Sequence, residues 1–305
     1  MRFFGEAREL LTAVGLPDGD SDAGLDESAL RFPDGGRWRI EVPTVNCADA
    51  AEMLLIGAAL RGVRIDRITE TKGMCRHTDA EIRRYVALGR DHGVEILMSV
   101  GPRATTDISA TARTPEGSRI GYRLRGGEKL VQAIADILRG IELGVRGLVV
   151  YDEGLLATLN ALRRQGKLPA ELHLKVSAHC GHGNPASVRL MEQHGANSIN
   201  PVRDLTVPML AGLRQAVTVP LDIHVDNPAT SGNFIRTLDA PDFARVASPV
   251  YLKTGNSALP GHGVNPTPAQ VEDMLDQIKI VAETMARHYP SAPQAAPAAA
   301  MAKVI

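Results

Sequence analysis

Cysteine, aromatic residues and long apolar runs are all scarce in this chain of 305 residues. Its three cysteines, Cys47, Cys75 and Cys180, lie far apart in sequence. Three widely spaced cysteines, an odd number, argue against a disulfide framework. They are also too few for a four-cysteine iron–sulfur cluster. We therefore expect no such cluster, and we expect a reducing, cytoplasmic compartment.

An excess of charge of either sign is also missing. With 34 basic and 35 acidic residues the formal net charge is −1, which offers no general attraction for nucleic acid or an anionic membrane. No apolar run reaches the roughly 18 residues of a membrane span, and the first residues lack a signal-peptide core. The composition thus predicts a protein with neither a nucleic-acid nor a membrane partner.

Strand-like and helix-like segments alternate along most of the chain, which is typical of a (β/α)₈ barrel of the TIM type. No glycine-rich phosphate fingerprint follows the first strand, which argues against an open doubly wound sheet and against a nucleotide cofactor. We predict a barrel over residues 38–290, a flexible Ala/Pro-rich tail over 291–305, and an N-terminal extension over 1–37 with a hairpin turning at Asp34–Gly35. The predicted strands are 38–45, 65–71, 94–100, 146–152, 172–179, 197–202, 219–226 and 249–254.

Two of these strands alternate apolar residues with polar ones. Because successive side chains of a strand point to opposite faces, and the outer face packs on helices, the polar set must face the barrel axis. In the seventh strand this set is Asp222, His224 and Asp226; in the fifth it is His173, Lys175, Ser177 and His179. Burying such charges without partners costs several kcal/mol, roughly, so they must meet one another, a metal or a substrate.

Further polar residues lie at the predicted strand ends, where barrels of this type carry their chemistry. We interpret one group as catalytic and a second as substrate-binding, while a purely structural ion network stays open as an alternative. The catalytic candidates are Lys175, His179, Asp222, His224 and Glu70. The substrate-binding candidates are Glu41, Arg103, Asp152, Asn200, Arg203 and Lys253.

Three chemistries fit these side chains. A divalent metal (zinc, manganese or iron) bound by His179, His224 and Asp226 could stabilise an enolate or polarise a carbonyl. A desolvated lysine, Lys175 or Lys253, could form a Schiff base with a carbonyl substrate. Proton transfer by a carboxylate and a histidine is the third chemistry, and it requires neither a metal nor a Schiff base. All three predict a small-molecule lyase or isomerase acting on an oxygen-rich, anionic substrate.

The segment from Gly101 to Gly127 is long, carries five arginines and contains several glycines and prolines. Loops of this length in compact domains often serve as active-site lids or binding elements, and arginine suits carboxylates and phosphates. A solvated loop and a homo-oligomer contact are the alternatives. Its arginines are Arg103, Arg113, Arg119, Arg123 and Arg125.

Residues 146–226 resemble the collagenase-like peptidase family, family U-thirty-two. The motifs that carry the resemblance are YDEGLL at 151–156, LKVS at 174–177, NPAS at 184–187, NPVRDL at 200–205 and VPLDIHV at 219–225. The resemblance implies a barrel-type catalytic domain and, as an alternative function, peptidase activity. No cysteine follows the seventh strand here, so the cluster-dependent hydroxylase activity of some relatives is not implied. A non-catalytic binding barrel is the third hypothesis.

Overall fold

The computed structural model describes residues 4–20, 25–103 and 110–297. Eight parallel strands, β1 to β8, follow one another around a closed barrel, with β8 paired to β1. This confirms the predicted (β/α)₈ fold. The strands are Trp38–Pro43, Arg67–Thr69, Glu95–Ser99, Gly147–Val150, His173–Val176, Ser198–Ile199, Leu221–His224 and Val250–Lys253.

Helix α1 belongs to the N-terminal extension, and α2 to α9 surround the barrel. Side-chain caps set several of their starts: Thr78 accepts a hydrogen bond from the Glu81 amide, and Asn184 and Thr267 each form a capping box. No helix of the described chain is long and apolar enough to cross a membrane. The helices are Gly5–Ala13, Ala48–Leu60, Asp79–His92, Gly126–Glu142, Glu153–Arg164, Pro185–Gln193, Val207–Ala216, Ala240–Ala247 and Pro268–His288.

The lower half of the barrel interior is filled by ionic side chains rather than by aliphatic ones. Arg67 is completely buried, contacts Asp222 at 3.0 Å and Glu95 at 2.6 Å, and lies over the ring of Tyr251. Burial alone would lower the pKa of Arg67, but Glu95, Tyr251 and Asp222 outweigh it and raise that pKa. These charges therefore have internal partners, and this part of the barrel is a structural ion network.

The C-terminal segment differs from the prediction. We expected a flexible tail over 291–305, but its described part, 291–297, closes the N-terminal end of the barrel. Gln294 forms a parallel bridge with Trp38, the amide of Ala295 donates to the carbonyl of Trp38 (2.9 Å), and the indole N–H donates to Ala292 (3.0 Å). Backbone groups at the N-terminal end of the barrel need hydrogen-bond partners, and this segment provides them.

The N-terminal extension also differs. A tight turn does occur at Asp34–Gly35, with the amide of Phe32 bonded to the carbonyl of Gly36 (2.9 Å). The described residues on either side of it form no strand pair, however, so the predicted hairpin is only a turn. Ser28 anchors this segment, because its hydroxyl donates to the carbonyl of Ser248.

Candidate functional site

The carboxyl ends of the strands open into a cavity with a free volume of about 420 Å³, its open mouth included. Side chains from β1, β2, β4, β5, β7 and β8 line it, together with side chains from the loops that follow the strands. Its polar lining consists of Thr69, Thr71, Arg103, Tyr122, Tyr151, Lys175, Ser177, His179, Asn200, Arg203, His224, Lys253 and His262. Two arginines and two lysines thus face this space, and no carboxylate among the described residues does.

Two lysines share one carboxylate at the bottom of this cavity. Glu41 forms a direct ion pair with Lys175 and lies 3.1 Å from Lys253, and it accepts a hydrogen bond from Thr69 (2.8 Å). Burial would raise the pKa of Glu41, but the two lysines and Arg67 outweigh it and hold that pKa well below its usual range. Glu41 is therefore ionised at neutral pH.

The two lysines are held differently. Lys175 contacts both Glu41 and Asp222, the latter at 3.4 Å, so it lies between two carboxylates. Lys253 has Glu41 and the amide oxygen of Asn200 (2.8 Å) as partners. Burial lowers the pKa of Lys253 and Lys175 lowers it further, whereas Glu41 raises it; the result is a pKa of about 7. At neutral pH a large fraction of Lys253 is therefore the uncharged amine.

Three histidines surround the upper part of the cavity, and all are held in the neutral form. Burial is the largest cause for each, followed by nearby cations, so the pKa of His179 falls to about 2, that of His262 to about 4, and that of His224 well below its ordinary value. The Nδ1 atom of His224 is buried with no hydrogen-bond partner among the described residues. Neutral imidazoles can accept protons or hydrogen bonds from a ligand.

Arginines and aromatic rings form the rim. Arg203 lies 3.1 Å from Nε2 of His179, and the ring of Tyr122 stacks on His179 with 4.0 Å between centroids. Arg103 lies over the ring of Tyr151 at 4.9 Å and donates to two backbone carbonyls of the β2–α3 loop. Burial lowers the pKa of Arg203. A guanidinium group placed in this way favours an anionic ligand, which would restore its lost solvation.

The inward orientation predicted for the fifth and seventh strands is present, but the strands place their polar residues at different depths. Lys175, Ser177, His179 and His224 line the cavity, whereas His173 and Asp222 lie lower and contact Arg67. Asp222 is thus part of the structural network, and its carboxylate contacts Lys175 from beneath the cavity. Of the predicted substrate-binding residues, Arg103, Asn200, Arg203 and Lys253 line the cavity, and Glu41 lies beneath them.

Three predicted site residues are used to hold backbone instead, and two of them are Glu70 and Asp152. Glu70 accepts hydrogen bonds from the amides of Gly73 (2.7 Å) and Ser99 (3.1 Å), so it fixes the β2–α3 loop. Asp152 is the N-cap of α5 and also accepts from the amide of Leu124. Neither lines the cavity. A carboxylate at a strand end often accepts hydrogen bonds from the backbone amides of the next loop or helix, and both Glu70 and Asp152 do so here.

Asp226, the third of them, behaves in the same way. Its carboxylate accepts hydrogen bonds from the backbone amides of Gly255 (2.9 Å) and Ser257 (2.5 Å) beyond β8. The predicted metal ligands His179, His224 and Asp226 therefore do not come together as a ligand group. Among the described residues, the side chains with suitable spacing for a metal are instead Glu153, Cys180 and His182.

Five polar residues of the cavity were assigned no role from the sequence: Thr69, Thr71, Tyr122, Tyr151 and His262. His262 comes from the loop after β8; its ring nitrogens lie 3.3 Å from the hydroxyl of Thr44 and 3.2 Å from that of Ser231. Tyr151 follows β4, and Tyr122 belongs to the 101–127 segment. Two residues of that segment, Arg103 and Tyr122, line the cavity. No local periodicity marks His262 or Tyr122. Thr69, Thr71 and Tyr151 had a signal, because they lie at or just after the ends of strands.

Comparisons with known proteins give similarity in fold. No protein-family model matches the chain, and no curated protein matches it. A solved U32 peptidase is 18% identical over 64% of this chain and 72% of its own, with a TM-score of 0.41. Thiamine phosphate pyrophosphorylase from Pyrococcus furiosus is 10% identical over 82% and 98%, with a TM-score of 0.47. A putative lyase/mutase from Burkholderia cenocepacia is 13% identical over 83% and 84%, with a TM-score of 0.44.

Proposed function

We propose that this barrel is a small-molecule lyase that binds an anionic carbonyl compound and forms an imine with it through Lys253. The observation that carries the proposal is the arrangement of Lys253 and Lys175 around Glu41 at the bottom of a cation-lined cavity. A lysine that is desolvated and close to a second cation is the usual form of an activated amine nucleophile. Of the three chemistries that fit the sequence, the Schiff-base route fits this geometry best.

The reaction begins with attack of the uncharged Lys253 amine on the carbonyl carbon. A C–N bond forms, the carbonyl oxygen takes up protons and leaves as water, and the protonated imine remains. A bond next to the imine carbon can then break, because its electron pair is drawn to the positively charged nitrogen. Glu41, 3.1 Å from the Lys253 amine, is placed to stabilise this cation and to exchange protons near it. Lys175 keeps Glu41 ionised before the substrate arrives.

The rim determines which carbonyl compounds would bind. Arg203 forms no salt bridge among the described residues, its Nε atom is buried without a hydrogen-bond partner, and His179 and His262 beside it are neutral. An entering carboxylate or phosphate group would pair with this guanidinium in a poorly hydrated space, where such contacts are strong. We therefore assign the substrate to the class of small keto acids or phosphorylated carbonyl compounds.

The second candidate is acid–base catalysis without an imine, in which His224 removes a proton from the substrate. It is favoured by the buried, unpartnered Nδ1 atom of His224 in the cavity wall. In this case the two lysines and Glu41 would only polarise the carbonyl oxygen. Peptidase activity has less support, because the chain has neither a Gly-x-Ser-x-Gly nor a His-Glu-x-x-His motif.

Borohydride trapping distinguishes these mechanisms. The protein is incubated with pyruvate as a small keto-acid probe, reduced with sodium borohydride, and examined by intact-mass and peptide mass spectrometry. We expect one reduced adduct on Lys253, absent in Lys253→Met and retained in Lys167→Met, whose lysine is exposed on the surface. An adduct on Lys175 would overturn the assignment of Lys253 as the nucleophile. If none of a series of keto acids and phosphorylated ketones forms an adduct, the result favours the His224 mechanism.

A further inference from the structure

A second cluster of reactive side chains lies on the same face of the barrel as the cavity. Glu153 is the first residue of α5, and Cys180 and His182 follow β5. The carboxylate, thiol and imidazole atoms of these three residues all lie within 4.8 Å of one another. None of the three lines the lysine cavity. We propose that Glu153, Cys180 and His182 form a zinc site at the rim of the barrel.

The ligand types determine the kind of metal. A thiolate is a soft ligand and, together with imidazole and carboxylate, suits Zn²⁺, whereas Mg²⁺ and Ca²⁺ prefer sites built from oxygen alone. In a tetrahedral zinc site, ligand atoms lie roughly 3.3–3.6 Å apart, given metal distances of about 2.0–2.3 Å. The present spacing therefore needs side-chain shifts of an ångström or so rather than a movement of the backbone. Three protein ligands would leave the fourth position for water.

The imidazole of His182 already points at the cluster. Its Nε2 atom is buried and lies 3.0 Å from Oε1 of Glu153, yet it has no hydrogen bond of acceptable geometry. Two polar groups thus converge on a space in which their direct contact is imperfect. A cation placed between them would ligate both, and the thiol of Cys180 lies within 4.8 Å of each of them.

Arg123 is the group that a metal would have to displace. It donates to Glu153 at 2.8 Å, but it also donates to the carbonyls of Tyr151 and Cys180, so it can give up the carboxylate and keep two hydrogen bonds. The buried thiol of Cys180 would lose its proton to solvent as the metal–sulfur bond forms. Binding should therefore strengthen as the pH rises.

Cobalt titration tests the site, because a Co²⁺–thiolate bond gives a charge-transfer absorption that other ligands do not. Chelator-treated protein is titrated with Co²⁺ and then with Zn²⁺, which should displace it. We expect one equivalent to bind with the thiolate band, and the band to disappear in Cys180→Ser. The control variant Cys75→Ser, which removes an exposed cysteine, should keep it.

Three further variants test the remaining ligands and the separation of this site from the lysine cavity. His182→Ala and Glu153→Gln should each weaken Co²⁺ binding by at least about tenfold, and circular dichroism checks that they fold. His179→Ala should leave binding unchanged, because His179 lies in the lysine cavity. Binding without a thiolate band, a band that survives in Cys180→Ser, or binding that needs His179 would each overturn the proposal. None of these readouts depends on imine formation.

Discussion

Glu41 and Lys253 are direct neighbours across the β1–β8 pair, and their side chains meet inside the barrel with 3.1 Å between Oε1 and Nζ. The barrel closes at this pair of strands, so residues from opposite ends of the barrel sequence become adjacent. Lys175 reaches the same carboxylate from the opposite wall. Burial of Lys253, together with the nearby Lys175 cation, outweighs the attraction of Glu41 and lowers the pKa of Lys253 to about 7.

The first prediction concerns pH. Since burial and Lys175 lower the pKa of Lys253 to about 7, the fraction of reactive amine should rise between about pH 6 and pH 8 and then level off. The initial rate of borohydride-trapped adduct formation with pyruvate, followed by mass spectrometry, should show the same bend. A lysine with an ordinary pKa near 10.5 would instead give a rate that keeps rising through this range.

The second prediction concerns the shared carboxylate. Glu41→Gln leaves Lys175 and Lys253 buried without their common anion, so we expect it to lower the free energy of unfolding by roughly 3–5 kcal/mol in urea denaturation. The double variant Glu41→Gln/Lys175→Met removes one of these cations and should be more stable than the single variant. Equal stability of wild type and Glu41→Gln would show that the carboxylate does not stabilise the lysines.

The sequence predicted which residues of β5 and β7 face inward but not how deep in the barrel each of them lies. Alternation in β5 and β7 shows which side chains point inward, because a strand has only two faces. The depth depends on the stagger between neighbouring strands, which no local pattern reveals. Asp222 was therefore assigned to catalysis, although it lies beside Arg67 in the structural network.

Residues at strand ends were harder to interpret for another reason. A carboxylate that follows a strand can face the cavity or can bind the amides of the next loop, and both uses place it at the same sequence position. Asp152 precedes a helix by one residue, which is the N-cap pattern, so its role was detectable. Asp226 and Glu70 bind amides of loops whose conformation only the folded chain determines.

The third prediction concerns recognition of the anion. Arg203→Gln should raise the pyruvate concentration that gives half-maximal trapping by roughly tenfold to a hundredfold, the usual effect of removing a hydrogen-bonded charge. The limiting trapping rate should change little, because Lys253 and Glu41 stay in place. Arg113→Gln, which alters an exposed arginine of the 101–127 segment, is the matched control. A change in the limiting rate alone would mean that Arg203 acts on the chemistry and not on binding.

The last prediction concerns the C-terminal segment, whose Ala/Pro-rich composition favoured a flexible tail. Residues 292–295 form backbone and side-chain hydrogen bonds with Arg37, Trp38 and Asp66, and Ala295 is fully buried. A chain ending at Pro290 should therefore lose about 2–6 kcal/mol of unfolding free energy, at roughly 0.5–1.5 kcal/mol for each of these four hydrogen bonds. A chain ending at Pro297 keeps all these contacts and should unfold at a higher urea concentration than the chain ending at Pro290. Equal midpoints for the two truncated chains would mean that the barrel floor is closed without this segment.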